Sequence, residues 1–223
     1  LDLANFYFNN ERYSYAYKWF LKVKETDVPV KSRPQFYFNK GYTLFSKKQY
    51  KGAKSLLKKV IKNPKFESDA HYYLGHIAYQ LEDYEGASSS FTRVSKKDQQ
   101  DDLGYFQVEM NFKLGRFKKA LKLGKVEIEK AEGETLSQLS KILGESHFNL
   151  EEYEAALGYL KNYKGRNGKW NHVDYFQLGY TYYKTNDYTN AIDQFNKIIV
   201  KKNALSQSAY YYLAECYLMN ESE

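Results

Sequence analysis

Leu74 to Ala87 read LGHIAYQLEDYEGA, and their spacing describes two helices laid back to back. Leu74, Ala78 and Leu81 fall at helical intervals on one face, Asp83 interrupts at a turn, and Tyr84, Ala87, Phe91 and Val94 resume the period on a second helix. Gly75 and Ala87 are the small residues of the pair. Where two helices approach to about 8–10 Å, a side chain of one carbon or none lets the backbones close while Leu74, Tyr84 and Phe91 fill the space around them. One such hairpin cannot bury a core by itself, so neighbours are required.

The neighbours are in the sequence. The pattern returns at LGESHFNLEEYEAA (Leu143 to Ala156), LGYTYYKTNDYTNA (Leu178 to Ala191) and KGYTLFSKKQYKGA (Lys40 to Ala53), with weaker copies around Ala4 and Ala16, Phe117 and Ala120, and Leu213 and Ala214. The equivalent small positions are Ala4, Gly41, Gly75, Val108, Gly144, Gly179 and Ala214, in steps of 37, 34, 33, 36, 35 and 35 residues. A helix-turn-helix unit with this period resembles the tetratricopeptide repeat (TPR) family. The resemblance covers nearly the whole chain and implies an all-α fold, a right-handed superhelix of antiparallel helix-turn-helix repeats. A single array over 1–223 is expected, in units 1–33, 34–66, 67–100, 101–133, 134–169 and 170–203, with a lone final helix in 204–223.

Within that frame Thr26 to Pro34, with its two prolines, is a longer connection, and Ser68 and Asp69 are candidates to cap the helix that follows Asn63-Pro64. The fourth unit departs from the pattern: Val108 stands where others have Gly or Ala, Gly124 where they have Phe or Leu, and Glu127 where they have an apolar residue or Tyr. A poorly packed or rotated second helix and an irregular step are expected there. KGRNGK (Lys164 to Lys169) is the most flexible-looking loop, and it lacks the full phosphate-loop pattern.

Composition agrees with a helical array. Pro is scarce at 3 and Gly modest at 13, while 18% of the residues are aromatic, 24 of them Tyr. No apolar run approaches the ~20 residues that cross a bilayer, and LDLANFYFNN is not a signal peptide. Membrane insertion is therefore not expected. The chain starts inside a helix without Met and stops after an unpaired helix, so it reads as a fragment of a longer array. The single cysteine, Cys216, excludes an internal disulfide and any cysteine cluster, and leaves cytoplasm and bacterial periplasm or cell envelope equally open. Its tyrosine- and asparagine-rich character is similar to that of large bacterial TPR proteins of the envelope.

The net charge of +7 is concentrated in stripes such as Lys51, Lys54, Lys58 and Lys62, or Lys118, Lys122 and Lys125, which suit the solvated outer face of second helices. Chemistry is harder to find. His71 and His76 are five apart and point to different sides of a helix, His147 occupies a packing position, and Cys216 has no catalytic-looking neighbour. No residue is singled out as catalytic, cofactor-binding or metal-ligating, and the chain reads as a non-enzyme without a cofactor.

In proteins of this family the first helix of each hairpin lines a concave inner surface. The resemblance then implies a partner-binding face made by Phe38, Tyr42 and Phe45; Tyr72, His76 and Tyr79; Tyr105 and Phe112; Phe148; Phe176, Tyr180 and Tyr183; and Tyr211. Rigid amphipathic rings give contact area at low entropic cost. Such a groove suits an extended peptide or a partner's helix, or is filled by a second copy of the chain. TPR proteins that hold chaperone tails share a Lys, Asn and Arg cluster for a terminal carboxylate; rings stand at those places here, which argues against that subtype. The leading reading is a protein-interaction scaffold. Its rival is a nucleic-acid-binding repeat protein, with lysines on phosphates and rings on bases, but Glu109, Glu145 and Glu215 stand among the rings and argue against it.

Overall fold

Gly41, Gly75, Gly144 and Gly179 sit where two antiparallel helices cross in the computed structural model of the chain, which describes residues 1–200 and 203–220; Ala214, on the final helix, is exposed. The described residues form two compact units. The first, Leu1–Leu103, contains α1 (Asp2–Asn9), α2 (Tyr13–Phe20), α3 (Arg33–Ser46), α4 (Tyr50–Leu57), α5 (Glu67–Gln80), α6 (Tyr84–Phe91) and the short α7 (Lys97–Asp102). The second begins at Gly104 and contains α8 (Gly104–Lys113), α9 (Phe117–Ile128), α10 (Gly133–Asn149), α11 (Tyr153–Leu160), α12 (His172–Lys184), α13 (Tyr188–Asn196) and α14 (Ala204–Asn220). The architecture is all-α, built from stacked helix-turn-helix hairpins. The end of the expected last unit, 221–223, and the join at 201–202 lie outside the described residues.

The crossing repeats one contact. A residue sixteen places after the small one fills the gap it leaves: Leu57 over Gly41, Phe91 over Gly75, Leu160 over Gly144 and Phe195 over Gly179. A Cβ on Gly179 would lie 2.9 Å from Phe195 Cε1, and one on Gly75 would fall within the Phe91 ring. The fourth hairpin exchanges the two sizes. Val108 is fully buried, Gly124 takes the place of the large residue, and the space is filled by Leu143 from the next helix. Its second helix is thus well packed rather than loose, and at 12 residues it is longer than the 8 or 9 of its counterparts. Glu127 stays half-buried with its carboxylate against Gly104, accepting a hydrogen bond from Lys130 at 2.9 Å.

The turn between the two helices is equally uniform. Seven residues after the small position the backbone is left-handed in six hairpins, at Glu11, Lys48, Glu82, Gly115, Glu151 and Asn186, with φ between 57° and 68°. The amide of the following residue reaches back over the turn, as Asp83 N does to Ala78 O at 2.9 Å, satisfying a carbonyl left open by the helix end. Asp83 and Asp187 then cap the second helix through their side chains.

Two local expectations are corrected. Leu81 ends α5 and is 54% exposed, because it lies in the turn and past the buried face. Ser68 and Asp69 do not cap α5; they lie in its first turn and face the following segment, where Ser68 Oγ accepts from the amides of Ser95 and Lys96 and Asp69 pairs with Lys96. KGRNGK is a tight turn: Gly165, Asn167 and Gly168 adopt positive φ, and the Lys169 backbone packs against Gly165 so closely that no Cβ fits. The Thr26–Pro34 connection is anchored by the buried Val28, whose carbonyl accepts from Arg33.

Candidate functional site

The aromatic positions sort into three classes by what they touch. Rings four residues after the small position lie against rings nine residues after it, across the hairpin turn: Phe8–Tyr13 at 5.7 Å, Phe45–Tyr50 at 6.2 Å, Tyr79–Tyr84 at 6.0 Å, Phe112–Phe117 at 5.9 Å, Phe148–Tyr153 at 5.7 Å and Tyr183–Tyr188 at 6.2 Å. These pairs clip each hairpin shut. Phe45, Tyr79, Phe112, Phe148 and Tyr183 therefore have a packing role whatever else they do.

A second class joins successive hairpins. Tyr42 packs against Phe8 (5.6 Å), Tyr13 (4.9 Å) and Tyr73 (4.8 Å); Tyr180 packs in the same way against Phe148 (5.7 Å), Tyr153 (6.0 Å) and Tyr212 (4.9 Å). Burial, with Tyr42 as hydrogen-bond partner, pushes the Tyr13 hydroxyl up to about 12. Phe38 stacks on Phe66 at 5.0 Å, and Phe176 lies 5.9 Å from the buried Phe195. Tyr73 and Tyr212, which the first-helix periodicity also places on this face, are the hubs of these clusters, whereas the partners nine residues after each small position did not stand among the expected site residues.

The third class is more open. Tyr72 and His76 meet edge to face at 4.5 Å on α5, Tyr105 is half-buried on α8, and Tyr211 is 60% exposed on α14. Tyr211 and Tyr183 both donate to Glu215, at 2.7 and 2.6 Å, and those two bonds hold its carboxyl below the ordinary range. Each unit thus contains a cluster of rings. In the second unit the row of rings is broken by Glu109, Lys141 and Glu145.

That break is a cavity of about 520 Å³. Tyr105, Glu109, Phe112 and Lys113 line it from one face of α8; Glu134, Gln138, Lys141, Ile142 and Glu145 line it from one face of α10; Tyr163, Arg166, Asn167 and Asn171 close it from the turn that follows α11. Its floor is fixed by Lys141. The ammonium pairs with the buried Asp174, lies 4.8 Å from the centre of the Tyr163 ring and stands 3.7 Å from Glu145. Asp174 in turn accepts from the Asn171 amide at 2.8 Å in the capping box that starts α12. Burial works against the Lys141 charge, yet Asp174 and Glu145 more than offset it and its pKa stands above the ordinary value. Burial raises the Glu145 carboxyl, with Lys141 opposing, and pushes the Tyr105 hydroxyl up to about 12 with help from Glu109 and Glu134.

Elsewhere the chemistry-bearing residues are structural. His147 is buried, within 2.5 Å of Glu152 and stacked on Tyr159. Cys216 is buried, which raises its thiol to about 11. Lys51, Lys58, Lys62, Lys118, Lys122 and Lys125 are exposed on outer faces and Lys54 is partly so. Among the described residues no helix is long and apolar enough to cross a membrane.

The comparisons agree on what these hairpins are. The profile of the family described as tetratricopeptide repeat matches residues 176–222, and a second profile of the same description matches 34–64. No curated protein matches the chain. Among solved structures, YrrB, described as a TPR protein with an unusual peptide-binding site, is 20% identical with a TM-score of 0.65, over 86% of this chain and 97% of its own. The C-terminal part of a TPR repeat-containing protein from Cytophaga hutchinsonii is 18% identical with a TM-score of 0.64, over 97% of this chain and 87% of its own. MamA from Desulfovibrio magneticus RS-1 is 18% identical with a TM-score of 0.61, over 75% and 93%. With the recurrent small-to-large crossing, the uniform left-handed turn and two matched segments, the chain carries tetratricopeptide repeats at 34–64 and 176–222.

Proposed function

We propose that the chain is a non-enzymatic protein-interaction scaffold whose first-helix faces bind an extended peptide segment of a partner. The observation that carries this reading is the cavity between α8 and α10, walled by Tyr105 and Phe112 and floored by fixed polar groups, on the face that the repeats leave open. Apolar walls with a few oriented polar groups are what peptide recognition uses. YrrB, alike in fold, is described as having a peptide-binding site of its own. The nucleic-acid reading is less well supported, because the carboxylates of Glu109, Glu134 and Glu145 share the cavity with its cations and would repel phosphate.

Panning phage-displayed random dodecapeptides on the folded chain tests the proposal. Enriched peptides should bind the chain and lose at least about tenfold in affinity when Tyr72, Tyr105 and Tyr211 are changed to Ala, the open rings rather than the clips. Failure to enrich any peptide, together with nucleic-acid binding that collapses between low and moderate salt, would replace this reading with its rival.

A further inference from the structure

The cavity of the second unit has a chemical preference that the rings elsewhere lack. The position directly after the small residue carries Tyr42, His76 and Tyr180 in three hairpins, and Glu109 and Glu145 in the two that line the cavity. Those two carboxylates come from different helices, with Glu134 on the same wall and its carboxylate hydrogen-bonded to Gln138 at 2.7 Å. The cations are placed otherwise. Lys141 lines the cavity with its ammonium paired to the buried Asp174, while Lys113 and Arg166 are exposed lining residues. The lining thus balances three carboxylates, Glu109, Glu134 and Glu145, against three cations, Lys113, Lys141 and Arg166, in a chain of net charge +7. Glu145 has little water of its own: its side chain is 13% exposed, and its nearest cation is 3.7 Å away and bonded to another carboxylate.

An acidic or phosphorylated guest would meet three carboxylates beside a Lys141 whose charge is already paired with Asp174. A neutral guest would leave Glu145 in a site that water no longer reaches. A guest with a planar cation and an apolar stem satisfies both walls, because a guanidinium takes two carboxylate oxygens at once and lies on aromatic faces. We propose that the cavity receives the basic side chain, arginine above lysine, of an extended partner peptide, with its stem on Tyr105 and Phe112 and its charge between Glu109 and Glu145. This rests on the peptide-binding reading above and narrows it to a class of ligand.

The test takes the strongest dodecapeptides from the panning and measures their dissociation constants by isothermal titration. Enriched sequences should share one Arg or Lys, and replacing that Arg with citrulline, which keeps the shape and removes the charge, should weaken binding at least about tenfold. Glu145→Gln should erase the difference between the arginine and citrulline peptides. Glu134→Gln, at an exposed residue whose loss leaves the fold alone, should shrink it, and Glu154→Gln, on the outer side of α11, should leave it intact. Circular dichroism checks that each variant is folded. Enriched peptides without a basic residue, or equal affinity for arginine and citrulline, would overturn this inference and leave the scaffold reading standing. No enrichment at all would overturn both.

Discussion

Gly75 and Gly158 show how far one residue's role can be told from its surroundings. A Cβ on Gly75 would enter the Phe91 ring, whereas one on Gly158 meets nothing within 4 Å. Gly75→Leu should therefore overpack the crossing and cost about 1–3 kcal/mol or more. Gly158→Ala, in the exposed face of α11, should stabilise by roughly 0.5–1 kcal/mol. Urea titrations of the two variants check the pair, and an unchanged midpoint for Gly75→Leu would mean that the helix crossing is elsewhere. The role of Gly75 was legible because it recurs with Phe91 at a fixed interval. Leu81 was not, since hydrophobicity alone cannot tell the last buried turn of a helix from the first exposed residue after it. The same limit applies to Val108 and Gly124, where exchanging a large and a small residue looks like decay of the pattern until both partners are seen together.

At the scale of the hairpin, the device that sets the geometry is the left-handed turn residue. Five of its six occurrences are Glu, Lys or Asn, and only Gly115 is the residue that conformation prefers. A non-glycine there costs on the order of 1 kcal/mol, so Glu151→Gly should raise stability by up to about that amount and Gly115→Ala should lower it similarly. Thermal melts that moved both variants in the same direction would contradict the turn's role. The sequence hid this position because its side chains are ordinary surface residues; the requirement is on the backbone. The ring clip was hidden for a different reason. Phe148 and Tyr153 both appear in the sequence at constant offsets from Gly144, but an aromatic on a first helix reads equally as groove or as packing until its contact across the turn is known. The faces predicted from the sequence thus contain the cavity's Tyr105 and Phe112, while Tyr163, Arg166 and Asn171, which come from a turn and a helix start, had no periodic signal to reveal them.

Across the molecule the two units should respond to acid in opposite senses. In the first, burial lowers the pKa of His71, with Arg93 adding to the effect and Glu67 opposing it; burial also lowers that of His76, against the pull of Asp102. The folded state then binds fewer protons than the unfolded one, so stability is full above about pH 6.5 and is lost as pH falls through the folded values. In the second unit Glu145 has the reverse sign. Its carboxyl is raised by burial against the pull of Lys141, with Asp174 raising it further and Gln177 and Lys113 opposing, so the folded state gains protons first and stability rises as pH falls toward the ordinary carboxylate range. Glu25 and Glu215, both lowered by hydrogen bonds, lose their contribution only below about pH 4.5 and stay out of the window. Because repeats unfold as neighbouring blocks, hydrogen exchange followed by mass spectrometry can read the units separately. Between pH 7 and 5, after correction for intrinsic exchange rates, peptides from α3 to α6 should lose protection while those from α10 to α12 keep or gain it. His71→Phe with His76→Phe should flatten the loss in the first unit and leave the second unchanged; an equal loss in both units, or an undiminished slope in the double variant, would place the acid response outside these groups.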